Sequence, residues 1–505
     1  MIRTLLLALA VTSFAAGQER PNVVLILADD MGYSDVGCYG GEIATPHLDA
    51  LAAGGLRFTQ MYNTSKCFPS RACLLTGRYA QQVGMDRGPK KILDAPTLGN
   101  LLRSAGYHTF MSGKHHGTQN PFELGFERYF GLRDGASNHF NPGPRREGEP
   151  KPAQKRAKRA WCIDDKTHAP YIAESGFYTT DAFTDHALEF LETTRESERP
   201  FFLYLAYTAP HDPLMAWPAD IATYSGRYDE GWGAARARRW KKQGELGLLP
   251  KDALLSEPDY PDWSTWTVEQ RTEEARRMEV YAAMIDRLDQ NVGRVLAKLR
   301  ELEEFENTLI LFASDNGSSA EVVRIGQGEI GSMERWASLQ KRWANVSNTP
   351  FRRYKNHSYE GGICTPLIAH WPEGITARGT LVREPAHFVD LFPTLAELCG
   401  APPLEAKAPL AGQSIAALLR GGTFQRAQPL FWHWSGGRAV RDGRWKAVRW
   451  GDQAWELYDI DADRTEQKDL ASEQALVLGV LTKAWEQWSL RGGTHPSAAA
   501  DATSR

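Results

Sequence analysis

The sequence predicts an α/β protein whose sheet is mostly parallel and covered by helices on both faces. Short, almost continuously apolar runs recur along the chain, as expected for strands buried on both faces; they lie at 22–28, 107–111, 201–207, 308–313 and 366–370. Stretches with helical periodicity separate them, at 97–105, 181–192 and 272–301. Strands that alternate with helices are the pattern of a parallel sheet.

Length and composition support a folded protein of this size. The chain has 505 residues, 42% of them hydrophobic and 10% aromatic, which excludes a disordered or fibrous protein and permits one large domain with a smaller one. The 59 Lys and Arg nearly balance the 62 Asp and Glu, for a formal charge of -3. A surface built mainly to bind nucleic acid or anionic lipid is therefore not expected.

The N-terminus predicts a secretory signal over residues 1–17. Arg3 precedes a short apolar run at 5–11, and small residues follow at a plausible cleavage point near Gly17. A buried strand or a membrane anchor is the alternative, but the run is shorter than the ~20 residues of a spanning helix. We expect a secreted or periplasmic protein without stable membrane association.

The pattern changes after about residue 403. Short alternating segments at 430–434, 437–448 and 454–459, followed by a helical segment at 474–488, predict a small α+β domain. We expect a catalytic domain over 18–405, the small domain over 425–491 and a disordered polar tail over 492–505.

The six cysteines do not indicate a disulfide scaffold or a zinc site. They are too few for a disulfide-dense chain of this length. Their spacings lack the CxxC and Cys/His patterns of zinc sites. If one cysteine has a chemical role, at most two intrachain disulfides can form, and the pairing stays open.

Four of the five apolar runs lead directly into polar clusters. These clusters are Asp29-Asp30, Lys114-His115-His116, His211-Asp212 and Asp315-Asn316. Ligands of open α/β sheets bind outside the carboxyl ends of the strands. We therefore expect the four clusters to converge in space.

Two of these clusters predict a site for a hard divalent cation. Adjacent carboxylates at a strand end are costly unless they are neutralised, and Asp29-Asp30 with Asp315-Asn316 supplies oxygen donors only. Such donors favour Ca²⁺ or Mg²⁺ over Zn²⁺. The alternative is that these residues only form turns and helix caps.

A cysteine stands just before the expected start of a helix. Pro69 suits the first turn of a helix, so Cys67 would face free N–H groups, with Arg71 and Arg78 nearby in sequence. A low-pKa thiolate nucleophile and an anion site both fit this arrangement. A buried structural cysteine is the simpler alternative.

Residues 67–78, Cys-x-Pro-Ser-Arg-x-x-Leu-Leu-Thr-Gly-Arg, closely resemble the sulfatase signature. In that family the cysteine is oxidised to Cα-formylglycine after translation. Further family-like motifs occur along the chain in the expected order, at 29–30, 113–116, 210–213, 314–317, 355–362, 441–446 and 456–459. The resemblance covers nearly the whole mature chain. It implies an alkaline-phosphatase-like sandwich with a mostly parallel sheet, plus a small C-terminal α+β domain with an antiparallel sheet.

The resemblance also implies an activity and a set of site residues. It implies hydrolysis of sulfate esters with one Ca²⁺, whose ligands are Asp29, Asp30, Cys67, Asp315 and Asn316. The hydrated aldehyde at position 67 is the implied nucleophile, and a formylglycine-generating enzyme is the implied maturation partner. Arg71 and Lys114 would hold the hydrate, His116 would act as the base that releases sulfate, and His211 with Lys355 would grip the sulfate and protonate the leaving oxygen.

Two departures from the family pattern bear on the site. His115 replaces the usual aromatic residue between Lys114 and His116, so either imidazole could face the metal. Residues 363–366 read Ile-Cys-Thr-Pro where some relatives carry Arg-Glu-Pro, which weakens any transfer of specificity from those relatives.

A sulfated small molecule or glycan is the expected substrate. Basic stretches at 145–159 and 236–242 could line a path for a sulfated polymer, or could be solvated loops. Tryptophans in the same region could stack on sugars or pack in the core; they are Trp217, Trp232, Trp240, Trp263 and Trp266.

Two other functions stay open from the sequence. Related enzymes with a similar formylglycine and metal core hydrolyse phosphate or phosphonate esters, and both substrate classes are tetrahedral oxyanions. A non-catalytic protein that binds sulfated glycans through an unmodified Cys67 is the third possibility. A nucleic-acid partner is not expected.

Overall fold

The structure is a computed structural model that describes residues 20–156, 158–250 and 252–492. The expected signal over 1–17 and the expected tail after Gly492 lie outside the described residues. Within the described part of the chain, no helix combines the length and the apolar character needed to cross a membrane.

A large mixed sheet forms the centre of the molecule, and a small antiparallel sheet follows it. The strands are β1 (Asn22–Asp29), β2 (Leu56–Tyr62), β3 (His108–Gly113), β4 (Arg128–Leu132), β5 (Trp161–Ile163), β6 (Lys166–His168), β7 (Phe201–Pro210), β8 (Thr308–Ser314), β9 (Ile325–Gly326), β10 (Arg335–Trp336), β11 (Cys364–His370), β12 (Thr380–Val382), β13 (Ala386–His387), β14 (Leu430–Trp434), β15 (Gly437–Asp442), β16 (Trp445–Trp450) and β17 (Glu456–Asp459). The large sheet has the order β12-β2-β11-β8-β1-β7-β3-β4-β5-β6, with β13 also paired to β2.

The helices cover both faces of the large sheet. They are α1 (Pro46–Gly54), α2 (Cys67–Thr76), α3 (Leu98–Ser104), α4 (Thr179–Glu192), α5 (Pro218–Ala222), α6 (Gly231–Glu245), α7 (Val268–Glu301), α8 (Gln340–Ser347), α9 (Glu360–Ile363), α10 (Leu391–Leu398), α11 (Ala416–Leu419) and α12 (Ala475–Arg491). Val24 of β1 packs in one core with residues of α4 and α7, whereas its neighbour Val23 packs in a second core with residues of α2, α3 and α10. Because successive side chains of a strand point to opposite faces, an uninterrupted apolar strand can serve two cores.

The predicted α/β fold is confirmed, with one local difference in strand direction. The central strands β8, β1, β7, β3 and β4 are parallel to one another, as predicted. Strand β11, predicted from the run at 366–370, instead lies antiparallel between β8 and β2. An apolar run indicates that a strand is buried but carries no information about its direction.

The C-terminal residues form the second sheet, as predicted. Strands β14, β15, β16 and β17 are antiparallel in sequence order, and α12 packs against them through Leu481 and Trp485. The stretch 437–448 holds two strands, β15 and the first part of β16, which are joined by a turn at Gly443. Gly443 has φ +54°, a left-handed conformation that glycine adopts without strain.

Candidate functional site

The polar clusters after the parallel strands converge at one edge of the sheet. Asp29 is the last residue of β1, His211 follows β7 directly, and Asp315 follows β8 directly. Ligand-type atoms of Asp29, Asp30 and His211 lie within 4.8 Å of one another, and so do those of Asp29, Cys67 and Asp315. All five of these residues are buried. The site is therefore built where parallel strands end together.

Asp29 is paired with the ammonium group of Lys114. Lys114 Nζ donates to Asp29 Oδ2, and both side chains are fully buried. Burial alone would raise the pKa of Asp29, but the charges of Lys114, His211 and Arg71 hold it well below its usual value. Asp29 is therefore an ionised carboxylate.

Asp30 is contacted by three side chains from three different segments. Its carboxylate accepts from Lys355 Nζ at 2.7 Å and from Asn316 Nδ2 at 2.6 Å, and His211 Nε2 lies 3.6 Å from Oδ2. Burial would lower the pKa of His211, but the Asp30 carboxylate raises it above its usual value. His211 also lies beside Asp212, with 3.0 Å between Nδ1 and Oδ1. The imidazole is thus held between two carboxylates.

Asp315 is the partner of Arg71. Arg71 Nε donates to Asp315 Oδ2 at 2.8 Å, and Nη1 donates to the backbone oxygen of Lys114 at 2.7 Å. Burial and the neighbouring Asp29 charge raise the pKa of Asp315 to about 6, although Arg71 opposes this. Arg71 therefore links helix α2 to the ends of β3 and β8.

Cys67 is the first residue of α2 and is only 1% exposed. Burial raises the pKa of its thiol, against the opposing charges of Lys114 and Lys355. This direction does not favour a low-pKa thiolate at position 67, one of the two sequence-based hypotheses for this residue. Position 67 nevertheless lies against the carboxylates of Asp29 and Asp315.

The donor set fits a calcium ion. Asp29 Oδ1 and Asn316 Oδ1 are buried oxygens that accept no hydrogen bond from the described residues. Buried polar atoms almost always have a partner, so these two oxygens at one site are available as ligands for a cation. With Asp30 and Asp315 the set consists of carboxylate and amide oxygens, which Ca²⁺ prefers.

The two adjacent histidines occupy different positions. The ring of His116 packs edge-on against Phe68, the neighbour of Cys67, with 5.6 Å between ring centroids. Burial, together with the charges of Lys114 and Arg71, lowers the pKa of His116 well below its usual value. Burial lowers the pKa of His115 to about 3, and its ring lies close to Gly117. Of the two rings, His116 is the one that packs against Phe68, the residue after Cys67.

Three residues near the site were missed by sequence reasoning. Glu321 accepts from Lys66 Nζ at 2.6 Å and lies 3.8 Å from Lys355 Nζ, and these charges hold its pKa far below the usual value. Asn356 lies beside Glu321, and its side-chain oxygen accepts from Trp434 Nε1 at 3.0 Å. The three residues are Glu321, Asn356 and Trp434. Glu321 lies close to Asp315 in sequence and Asn356 is next to Lys355, which is the only signal that could have suggested them. Trp434 has no such signal.

The tryptophans of the middle region pack mainly in the core. Trp263 and Trp266 lie edge-on against the buried Trp232, with centroids 4.5 and 5.4 Å away, Trp217 packs on Phe140, and Trp240 packs against the main core. Core packing, one of the two sequence-based alternatives, therefore accounts for them.

The basic stretch at 236–242 is partly a structural element. Arg239 is buried and pairs with Asp35 and Glu42, and Arg236 is buried and donates to Ser256. These two guanidinium groups cannot line a path for a sulfated polymer, because they are sequestered inside the protein.

The chain is similar to known sulfatases. Residues 21–401 match the family model described as Sulfatase, and residues 352–487 match the model of the N-sulphoglucosamine sulphohydrolase C-terminal region. An uncharacterised sulfatase of Schizosaccharomyces pombe is 32% identical over 93% of both chains. An arylsulfatase of Klebsiella aerogenes is 32% identical over 81% of this chain and 94% of its own. A solved structure described as Ps i-CgsB in complex with k-i-k-neocarrahexaose has a TM-score of 0.71 and 27% identity, and the match covers 94% of each chain.

Proposed function

We propose, because the chain belongs to the sulfatase family of sulfuric ester hydrolases, that it hydrolyses sulfate esters of carbohydrates at the site around residue 67. The observation that carries the proposal is the position of Cys67 at the start of α2, against Asp29 and Asp315 and beside two orphaned oxygens. A nucleophile at position 67 would have both a metal and fixed cations around it.

Two groups would complete the site. Formylglycine at position 67, made from Cys67 by a formylglycine-generating enzyme, would supply a hydrated aldehyde as the nucleophile. One Ca²⁺, held by Asp29, Asp30, Asp315, Asn316 and residue 67, would supply Lewis-acid activation of that nucleophile and of a sulfate oxygen.

The remaining residues would orient residue 67 and the sulfate group and would transfer protons. Arg71 and Lys114 lie beside Asp315 and Asp29 and would hold the hydroxyl groups of residue 67. His116, whose depressed pKa keeps it neutral near pH 7, suits a general base that accepts a proton from residue 67. His211 and Lys355 meet at Asp30; they would bind the sulfate oxygens and donate a proton to the leaving oxygen.

Within the proposed sulfate ester hydrolysis, the substrate class we propose is a carbohydrate. It is supported by the saccharide named in the description of the similar structure. The expected secretory signal, which implies a secreted or periplasmic location, supports it too. We also retain the two proposed domains, 18–405 and 425–491.

The test is hydrolysis of matched aryl sulfate and aryl phosphate esters with Ca²⁺ present. The protein is co-expressed with a formylglycine-generating enzyme, and the mass of the peptide that contains residue 67 reports the modification. Preferential sulfate turnover supports the proposal, whereas phosphate preference moves the protein to the phosphohydrolase alternative. Binding of sulfated saccharides without any turnover, despite confirmed modification, would favour the non-catalytic alternative.

A further inference from the structure

A second cavity lies away from the catalytic centre, between the large sheet and the C-terminal sheet. It has a volume of about 710 Å³, within the size range of small-molecule sites. Its walls include the buried residues Thr59 and Gln60 of β2, the connection 383–385 between β12 and β13, and residues 441–444 at the turn between β15 and β16. Further lining residues come from 248–250, 424–430 and 460–464. None of the residues proposed for catalysis lines this cavity.

Arginines dominate the charged part of the wall. The cavity is lined by five of them, Arg383, Arg426, Arg441, Arg444 and Arg464. Three acidic residues also line it, and two of these, Asp442 and Asp461, are exposed to solvent. The lining therefore carries an excess of positive charge and many N–H donors.

Two of the arginines contain nitrogen atoms that have no acceptor. Arg464 is 6% exposed; its Nη2 donates to the Thr59 backbone oxygen at 3.1 Å, but its Nε is buried without a hydrogen-bond acceptor. Arg426 pairs with Asp390, and its Nε is likewise without an acceptor. Buried donors without a partner are uncommon and costly. Asp390 and Glu360 therefore hold Arg426 and Arg464 at the cavity wall, and one donor of each guanidinium group stays unused by the described residues.

Two further arginines reach the cavity from solvent with donors to spare. Arg383 is exposed and uses Nη2 to donate to the Gly247 backbone oxygen at 2.7 Å. The Arg444 side chain is 51% exposed and binds Asp459 through Nε and Nη2. Nη1 of each residue donates to no acceptor in the described part of the chain, so it can contact a ligand without breaking a contact of the protein.

The cavity is separated from residue 67 by the length of a strand. Leu430, at the start of β14, lines the cavity, whereas Trp434, at its end, packs on Phe68 beside Cys67 with 5.0 Å between centroids. Four residues of strand span about 13 Å. One sulfate group therefore cannot occupy both places, but a saccharide of several units could extend that far.

We propose that this cavity is a second binding site for an anionic saccharide, in which the arginines bind a sulfate or carboxylate group. Arginine is the side chain best suited to bind such planar or tetrahedral oxyanions through paired N–H donors. Phe424, which stacks under Arg426 at 5.3 Å, and Leu248 provide an apolar wall for a sugar ring. The inference rests on the proposed function only for the choice of a saccharide as the ligand.

The experiment compares two double variants in the Cys67→Ala protein, which cannot turn over substrate. Arg383→Ala with Arg444→Ala removes the two exposed arginines of the cavity. Arg103→Ala with Arg378→Ala removes two exposed arginines elsewhere and leaves the same net charge. Calorimetric titration with sucrose octasulfate and with trigalacturonate, at low salt, measures affinity and stoichiometry, and the better ligand distinguishes sulfate from carboxylate recognition.

We expect the cavity variant to bind at least about tenfold more weakly than the control variant, or to lose one site, because loss of one charge-assisted hydrogen bond costs about this much. Equal binding of both probes by the two double variants, or no binding of either probe by the Cys67→Ala parent, would overturn the inference. Aryl sulfate hydrolysis, measured for the same arginine pairs with Cys67 intact, should stay within about twofold. If that activity is absent from every protein, the proposed function fails, while the titration still decides the cavity.

Discussion

Each aspartate of the site has its own cationic partner. Lys114 contacts Asp29, Lys355 contacts Asp30, and Arg71 contacts Asp315. A buried carboxylate without such a partner would cost several kcal/mol, so these pairs allow three carboxylates to share one site. The oxygens that the cations leave unused, Asp29 Oδ1 and Asn316 Oδ1, are the ones available to a metal.

At this scale we expect Cys67→Ala to abolish sulfate ester turnover, because formylglycine cannot form from alanine. The side chain is buried but small, so the free energy of unfolding should fall by only about 1 kcal/mol. Aryl sulfate assays and thermal unfolding measure the two effects. Wild-type-like activity in this variant would rule out the proposed nucleophile.

We expect Asn316→Ala to lose bound Ca²⁺ together with activity. The change removes one orphaned oxygen and also the amide that donates to Asp30 Oδ1 at 2.6 Å. Elemental analysis of the purified protein measures calcium, and Asn307→Ala, at a half-buried position far along β8 from the site, is the control. Full calcium occupancy in Asn316→Ala would remove Asn316 from the ligand set.

At the scale of elements, strand β14 joins the two segments that carry residues 67 and 355. Trp434 packs edge-on against Phe68 of α2 and donates through Nε1 to Asn356, the neighbour of Lys355. The loop that carries Lys355 is also tied to the segment before Cys67, because Asn356 N donates to the Ser65 backbone oxygen at 2.8 Å. The C-terminal sheet therefore helps to fix the distance between the two sides of the site.

We expect Trp434→Phe to lower kcat/KM for an aryl sulfate by up to about tenfold, since it keeps a ring but removes one hydrogen bond worth about 1 kcal/mol. Trp485→Phe is the matched control, because it removes an equivalent bond to the Trp432 backbone oxygen inside the small domain. Equal activity of the two variants would contradict a positioning role for Trp434.

The contact between α7 and the N-terminus of α1 predicts that the stability of the protein depends on pH. Asp289 of α7 accepts from the backbone N–H groups of His47 and Leu48 at 3.0 and 2.8 Å. Burial raises the pKa of Asp289 to about 7, although these two hydrogen bonds oppose the shift. The folded protein then keeps a proton that the unfolded chain releases near pH 4, so this group's contribution to stability falls as pH rises from about 4 to 7.

Asp289→Asn should remove this dependence. Relative to the wild type, we expect the variant to gain about 2 kcal/mol in free energy of unfolding between pH 5 and pH 8. Denaturant unfolding of both proteins at the two pH values measures the difference. A constant difference between them would show that Asp289 is already ionised at pH 5.

At the scale of the whole molecule, a buried ionic cluster joins the two sheets. Lys446 of β16 contacts Glu360 at 2.7 Å and Glu466 at 2.8 Å, and the Glu360 N–H donates to Glu466 at 2.9 Å. All three side chains are buried. Because Glu360 begins the short helix α9, just after the Lys355 loop, the packing of the small domain and the geometry of the site depend on the same contacts.

We expect Lys446→Met to lower the free energy of unfolding by about 3–5 kcal/mol, because it removes the ammonium group that both buried carboxylates share and leaves Glu360 only Arg464, 3.5 Å away. Adding Glu466→Gln should restore part of the loss, since one of those carboxylates is then neutral. Denaturant unfolding measures both. A loss below 1 kcal/mol in the single variant would mean that the cluster is hydrated or rearranged.

The sequence by itself determined the fold class, the antiparallel C-terminal sheet and the convergence of the polar residues that follow the parallel strands. Runs of apolar residues give buried strands, and polar residues that directly follow such strands must emerge at one edge of a parallel sheet. The motif around Cys67 added the family. These inferences depend on neighbours in sequence, which local patterns encode.

Only the tertiary structure decided the features that join distant segments. The antiparallel direction of β11, the packing of His116 on Phe68, and the contacts of Glu321 and Trp434 all depend on which segments pack together. The arginine-lined cavity is also of this kind, since its lining residues span positions 59 to 464. Charge pairing and side-chain packing act across space, so residues far apart in the chain meet only once the sheets have assembled.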